Sequence, residues 1–137
     1  MDVTTLMTRD VVTLGPSAPV KEAIQMLEDL MIRHLPVVDD GRLVGVLSDR
    51  DLREYRLPLM EEVENPEMAD DMLDTPVSEV MSGDLLTLDS SETIKTAIDL
   101  MVEHHVGALP VVDGHSDELV GILSYVDILK ALRSTLD

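Results

Sequence analysis

Apolar residues along this chain alternate between two periods. Val20, Ala23, Ile24, Leu27, Leu30 and Met31 recur at i, i+3, i+4, i+7, i+10 and i+11, while Lys21, Glu22, Glu28 and Asp29 fall off that stripe, which predicts an amphipathic helix. A β-branched run at 11–14 precedes it as a short strand, closed by Gly15-Pro16-Ser17, residues suited to a turn and a helix start. Pro36 marks the end of the helical segment. Residues 35–39 and 42–47 then predict two strands, and Asp40-Gly41 between them is a two-residue hairpin signal because both residue types tolerate positive φ. Ser48 opens a short helix running to about Arg56, with Leu52 and Tyr55 on its inner face.

The succession then returns. A strand at 85–88 leads to a helix with Asp89 and Glu92 placed as a capping box and Ile94, Ala97, Ile98, Met101 and Val102 as its stripe. Strands at 109–113 and 118–123 flank a turn at 114–117, and Ser124 opens a final helix bearing Ile128, Leu129 and Leu132. The likeness extends to the letters. Leu35-Pro36-Val37-Val38-Asp39 reappears unchanged at 109–113, and residues 43–48 reappear at 119–124 with one Val-to-Ile exchange. The offset is 74 residues up to the shared Asp and 76 beyond it, so the second hairpin turn is two residues longer. One unit of about sixty residues is therefore written twice. Between the copies the pattern fails: Pro58 and Pro66 punctuate it, and residues 61–74 carry seven acids and no base. We expect a first repeat over 1–57, an acidic, solvated linker over 58–76 with Met60, Met68 and Met72 tucked against the body, and a second repeat over 77–137.

Composition narrows the picture. A sixty-residue half buries too little surface for comfort, so the halves of this 137-residue chain are expected to share one core. With no Trp or Phe and only two Tyr, that core must be aliphatic and methionine-built. The 28 acids against 10 bases give a net charge of −18, which leaves neither the basic footprint nor the aromatic platforms that nucleic acid requires. No apolar run reaches the length of a membrane span and the N-terminus has no signal pattern, so a cytoplasmic protein without membrane partners is expected. The absence of cysteine excludes disulfides, thiolate metal sites and a cysteine nucleophile.

Tandem β-α-β-β-α units carrying Leu-Pro-Val-Val-Asp, Leu-Val-Gly-x-Leu-Ser and Ser-x-x-Asp resemble a pair of cystathionine-β-synthase-type (CBS) domains, a Bateman module. The resemblance implies an α/β (α+β) fold in which two repeats pack by pseudo-twofold symmetry, with clefts that take adenosine-containing ligands such as AMP, ADP, ATP or S-adenosylmethionine. It implies no catalysis and no required cofactor, the nucleotide acting as a regulatory ligand. It also implies a homodimer formed through the helices and, for a pair standing alone, control of a separate, unidentified partner protein. The competing expectation is a ligand-free dimeric scaffold whose acidic linker binds a basic partner.

Ser48-x-x-Asp51 and Ser124-x-x-Asp127 have a physical rationale of their own. A serine at a helix start adds a donor to the free N–H groups there, and an aspartate three residues on can accept both hydroxyls of a ribose. The same spacing also makes a plain helix cap. The residues before each Leu-Pro distinguish the copies. Arg33-His34 in the first stands at positions that reach ligand phosphates in related modules, and Arg50 and Arg53 add charge, whereas the second has Gly107-Ala108 with Tyr125 and Val126 inside its Ser-x-x-Asp. The first site is therefore expected to bind a phosphorylated adenosine ligand, and the second to be empty or to take an uncharged nucleoside-like group. The resemblance adds Thr13 and Thr87 at the edge of the adenine pocket, together with Pro36, Ala108 and Pro110, and the base would lie between aliphatic groups such as Val12, Leu35 and Pro36. A Ser48, His34 and Asp51 triad lacks a strained nucleophile turn, the adjacent His104 and His105 do not make a metal face, and Asp70, Asp71 and Asp74 lack the spacing of a calcium loop.

Overall fold

The computed structural model describes residues 1–55, 66–83 and 85–136. Its elements are α1 (Val3–Leu6), α2 (Val20–Leu30), β1 (His34–Asp39), β2 (Arg42–Ser48), α3 (Pro66–Leu73), a 3-10 turn (Val77–Glu79), β3 (Leu88–Asp89), α4 (Ile94–His104), β4 (Ala108–Val112), β5 (Leu119–Ser124) and α5 (Tyr125–Arg133). Residues 53–55 are helical after Ser48; Arg56, at the expected end of that helix, and Met60 lie outside the described residues.

The chain packs as two compact units that do not coincide with the sequence repeats. The first-repeat unit comprises Val12–Asp40 and Val44–Leu85; the second-repeat unit comprises Met1–Val11, Gly41–Leu43 and Leu86–Asp137. Each repeat has thus lent its lead-in to the other unit, and the loans are equivalent. In the second-repeat unit Val3 N–H donates to Glu92 O (3.0 Å), Ile94 N–H to Met1 O (2.9 Å), and Thr8 bridges Ile122. In the first-repeat unit Val77 N–H donates to Ala18 O (2.8 Å), Val20 N–H to Thr75 O (2.8 Å), and Ser82 bridges Val46.

Each unit builds the same small sheet. Leu88 and Asp89 run parallel to Val111 and Val112, β4 pairs antiparallel with β5, and Thr8 adds a bridge on the far side. In the first-repeat unit β1 pairs with β2, Leu14 forms a parallel bridge to Val37, and Ser82 a bridge to Val46. The first strand of each repeat is shorter than the β-branched runs predict. Leu14 makes a single bridge and Thr13 stays outside any strand, while the second copy forms only Leu88–Asp89 rather than 85–88. The hairpin at Asp40-Gly41 forms as expected, with φ of 56° and 82°.

Two hydrophobic clusters replace the single shared core expected from chain length. One gathers Leu14, Ile24, Leu27, Leu35, Val37, Leu47, Leu52, Leu73 and Val77 among others; the second gathers Val3, Met7, Leu88, Ala97, Met101, Leu109, Val111 and Leu123. The borrowed lead-ins supply Val77 and Val3, so each unit enlarges its core beyond what its own repeat provides.

Several sequence expectations change at the helices. In α2 the stripe holds through Leu27, but Leu30 is 47% and Met31 90% exposed, because the helix closes with Met31 in the left-handed region (φ 55°). In α4 the buried residues are Ala97 and Met101, whereas Ile98 and Val102 face outward; in α5 Leu129 and Leu132 are likewise exposed and Ile128 alone of the predicted trio packs on the cluster. The cap of α4 is Thr93, whose hydroxyl accepts the Thr96 N–H (3.2 Å), not the pair Asp89 and Glu92. Asp89 is held on β3, where its carboxylate accepts the Ser91 N–H, a bond that keeps its pKa below the usual value. Part of the solvated linker proves structured. Pro66–Leu73 is a helix that buries Ala69 and Leu73, and Met68 is exposed rather than tucked in.

Candidate functional site

Seven of the predicted ligand residues, Thr13, Arg33, His34, Pro36, Ser48, Arg50 and Asp51, fall within the first-repeat unit, and the other five, Thr87, Ala108, Pro110, Ser124 and Asp127, within the second. In both units the end of the hairpin strand meets the start of the next helical turn through the same frame.

In the first, Asp51 Oδ2 accepts the Ser48 N–H (2.9 Å) and Ser48 Oγ accepts the Asp51 N–H (3.2 Å). Ser124 and Asp127 repeat this closed box at 3.0 and 3.2 Å. The capping function of Ser-x-x-Asp is therefore realised in both copies. It leaves binding capacity. Each serine hydroxyl uses its oxygen as acceptor and keeps its proton to donate, and Oδ1 of each aspartate accepts no hydrogen bond from the described residues. The box thus fixes each aspartate side chain through one of its two oxygens.

A second tie locks the entry strand to the turn. The Asp49 N–H donates to the Arg33 carbonyl (3.1 Å), and in the other unit the Tyr125 N–H donates to the Gly107 carbonyl (2.9 Å). Sequence reasoning missed Asp49, although the 74- and 76-residue offsets pair it with Tyr125 as they pair Arg33 with Gly107. The half-buried His34 is held below its ordinary pKa of 6.5, chiefly by burial and further by the Arg33 charge, while Asp49 and Asp51 pull the other way. Arg33, His34, Asp49 and Asp51 are consequently one electrostatic cluster with both signs of charge. Arg50 stands exposed on the turn between the two aspartates.

The aliphatic sandwich expected around a base needs amendment. Leu35 is fully buried in the cluster and presents no surface, and Pro36 is buried as well, its carbonyl accepting the Leu14 N–H (3.1 Å). Val12, 40% exposed, keeps a free apolar surface, with the exposed Thr13 beside it. In the second-repeat unit Pro110 is buried, and Thr87 and Ala108 are half-buried.

Among the described residues no His, Asp and Glu group could hold a metal ion, and no helix is long and apolar enough to cross a membrane. Comparison with known proteins places this geometry. The CBS domain-containing protein YhcV of Bacillus subtilis is 32% identical over 122 residues, covering 89% of this chain and 79% of that protein. Protein MJ1232 of Methanocaldococcus jannaschii is 32% identical over 124 residues, 90% of this chain, but the chain spans only 37% of its length. The match to the inosine-5′-monophosphate dehydrogenase of Thermoplasma acidophilum is narrower, 22% of that enzyme. Among solved structures, that of CBSX2 in complex with AMP superposes with a TM-score of 0.81 at 28% identity, covering 98% of this chain and 97% of that one. The CBS domain family itself matches twice, over residues 2–58 and 77–134, in step with the doubled strand, helix and Ser-x-x-Asp box, and the chain belongs to that family as a tandem CBS pair.

Proposed function

We propose that the chain is a cytoplasmic, non-catalytic regulatory module whose first-repeat unit binds an adenosine nucleotide of the AMP, ADP or ATP class and whose occupancy modulates a separate partner protein. The cluster of Arg33 and His34 beside the Ser48–Asp51 box carries this reading. It offers a fixed carboxylate oxygen for a ribose diol and, beside it, a permanently charged guanidinium and an imidazole for phosphate. CBSX2, similar over nearly its full length, is a protein solved with AMP, which supports the same ligand class here. Control of the partner is a population shift, so the ligand must favour one conformation of the module over another.

The exposed apolar residues Ile98 and Val102 of α4 and Leu129 and Leu132 of α5 support assembly as a homodimer through these helices. A Val102→Asp, Leu129→Asp variant sedimenting as a monomer where the wild type is a dimer supports it; a wild-type monomer removes it.

The test of ligand class is thermal unfolding of protein freed of co-purified ligand, with AMP, ADP, ATP, S-adenosylmethionine and adenosine. A nucleotide at a hundred times its Kd stabilises the fold by about 2.7 kcal/mol, several degrees for a chain of this size. Arg33→Ala should abolish the AMP shift. Wild-type protein that shifts with none of these compounds refutes the sensor, and Arg33→Ala protein that binds AMP like the wild type refutes the phosphate role.

A further inference from the structure

Helix α5 buries none of its residues, although it packs on α1, α4 and β5. Ile128 meets the second-repeat cluster, whereas Tyr125, Leu129 and Leu132, at i, i+4 and i+7, form a separate outward stripe that is 54%, 54% and 49% exposed. On α4, Ala97 and Met101 turn inward, while Ile98 and Val102, one turn apart, stay exposed. Of the twelve large hydrophobic residues exposed among the described residues, seven lie on this helix pair or just beyond it, so the open apolar surface is concentrated there. The first repeat carries no such surface. The 74- and 76-residue offsets pair Val102 with Glu28, Tyr125 with Asp49, Leu129 with Arg53 and Leu132 with Arg56, and they pair Ile98 with Ile24, which is buried. Glu28, Asp49 and Arg53 are exposed; Arg56 lies outside the described residues. Folding therefore does not require apolar residues at these places, since the first-repeat unit builds the equivalent elements with charged ones. Charge flanks both stripes with opposite sign. Lys130 and Arg133 are exposed beside Leu129 and Leu132 on α5, and Asp99 and Glu103 are exposed beside Ile98 and Val102 on α4, against one base, Lys95.

We infer that two copies of the chain pair through their second-repeat units alone, α4 of each seated on α5 of the other, and that the first-repeat unit takes no part in the interface. The inference rests on the homodimer reading and narrows it to one unit and one pairing of helices. A twofold contact is self-complementary, so every contact of α4 with the partner's α5 is made twice. Facing α5 with its own copy would set bases against bases, and facing α4 with its own copy would set acids against acids. Only the crossed pairing covers both apolar stripes and brings opposite charges to the rim, where like charges would oppose association of a chain of net charge −18. At the equivalent places the first-repeat unit offers Glu28, Asp49 and Arg53, whose burial against a second copy would cost desolvation that no apolar area offsets.

The experiment combines sedimentation equilibrium of the full chain with disulfide cross-linking of single-cysteine variants, which the absence of native cysteine makes unambiguous. Lys130→Glu with Arg133→Glu should raise the dimer Kd about tenfold or more, because acids then face acids. Adding Asp99→Lys with Glu103→Lys to that variant should return the Kd to within about threefold of wild type, since the signs oppose again. On oxidation, a mixture of Val102→Cys and Leu129→Cys chains should give the mixed disulfide above its statistical share, while Glu28→Cys and Arg53→Cys chains stay uncross-linked. If the charge reversals disturb folding, as circular dichroism would show, the cysteine variants decide alone. A dimer in which Glu28→Cys or Arg53→Cys cross-links readily overturns the inference and leaves the homodimer reading standing. So does a dimer in which Val102→Cys and Leu129→Cys each prefer their own kind. A folded wild type that sediments as a monomer sinks both.

Discussion

Gly45 and Gly121 stand at equivalent places in β2 and β5, yet alanine should be tolerated very differently at the two. Each glycine lies under the methionine of a borrowed lead-in. The three atoms nearest a Cβ at Gly45 all belong to the side chain of Met81, with Cγ at 2.7 Å and Cβ at 3.1 Å besides the sulfur. A Cβ at Gly121 would meet Met7 Sδ at 2.6 Å and also the Thr8 carbonyl oxygen at 2.8 Å. That oxygen cannot swing aside. It accepts the Ile122 N–H (2.9 Å), and the Thr8 N–H donates to the Ile122 carbonyl (2.8 Å), so making room means opening the bridge. Over-packing costs about 1–3 kcal/mol and each lost backbone bond about 0.5–1.5 kcal/mol, giving about 2–4 kcal/mol for Gly121→Ala. At Gly45 the sulfur and Cγ of Met81 can rotate away and only its Cβ, at 3.1 Å, stays close, so Gly45→Ala should cost about 1–2 kcal/mol. Equilibrium urea unfolding, followed by two probes to verify a single transition, measures both. A double-mutant cycle sharpens the test. Met81→Ala should recover most of the Gly45→Ala cost, whereas Met7→Ala should recover only part at Gly121, because Thr8 O remains. Equal costs at the two glycines, or Gly121→Ala within about 0.5 kcal/mol of wild type, would refute the reasoning.

Three further outcomes are expected. His34 has a folded pKa below its ordinary 6.5, so the unfolded chain binds more protons between the two values; its contribution is fully present above pH 6.5 and is lost as pH falls through the folded value, and His34→Gln should remove that slope from urea unfolding measured between pH 8 and 5. Met31 and His105 both close helices with φ of 55°, so Met31→Gly and His105→Gly should each raise stability by about 0.5–1 kcal/mol in thermal unfolding, and a loss at both would contradict the strain argument. Thr93→Ala should cost about 1 kcal/mol while Glu92→Ala stays within about 0.5 kcal/mol, and the reverse order would restore the capping box expected from sequence.

The repeat, the hairpins and the Ser-x-x-Asp boxes were legible because their signals are local. Asp40-Gly41 carries its turn geometry in two residues, and Ser48 and Asp51 close their box within one turn. What escaped was decided by partners far along the chain. Val11 to Leu14 has strand composition, but only Leu14 finds a partner, Val37, so the run cannot extend into a ladder. Leu30, Ile98, Val102, Leu129 and Leu132 satisfy helical periodicity and still face outward, since periodicity does not say how wide the covered stripe is. The helix at Pro66–Leu73 was hidden by its acids, which lie on the open side while Ala69 and Leu73 face the core. At the site, Asp49 carries no signal as an isolated letter, and Tyr125 reads only as an uncharged residue inside its Ser-x-x-Asp. Their importance lies in the carbonyls they bind, those of Arg33 and Gly107, and backbone acceptors leave no trace in sequence.

The traded lead-ins make each repeat unable to complete itself. Expressed alone, either would lack the segment that brings Val3 or Val77 into its core and the strand bridge that follows it. Because the two segments occupy equivalent places, two separate copies of one repeat could trade theirs in trans and regenerate every such contact. The doubled chain therefore supplies both segments of the trade within one polypeptide.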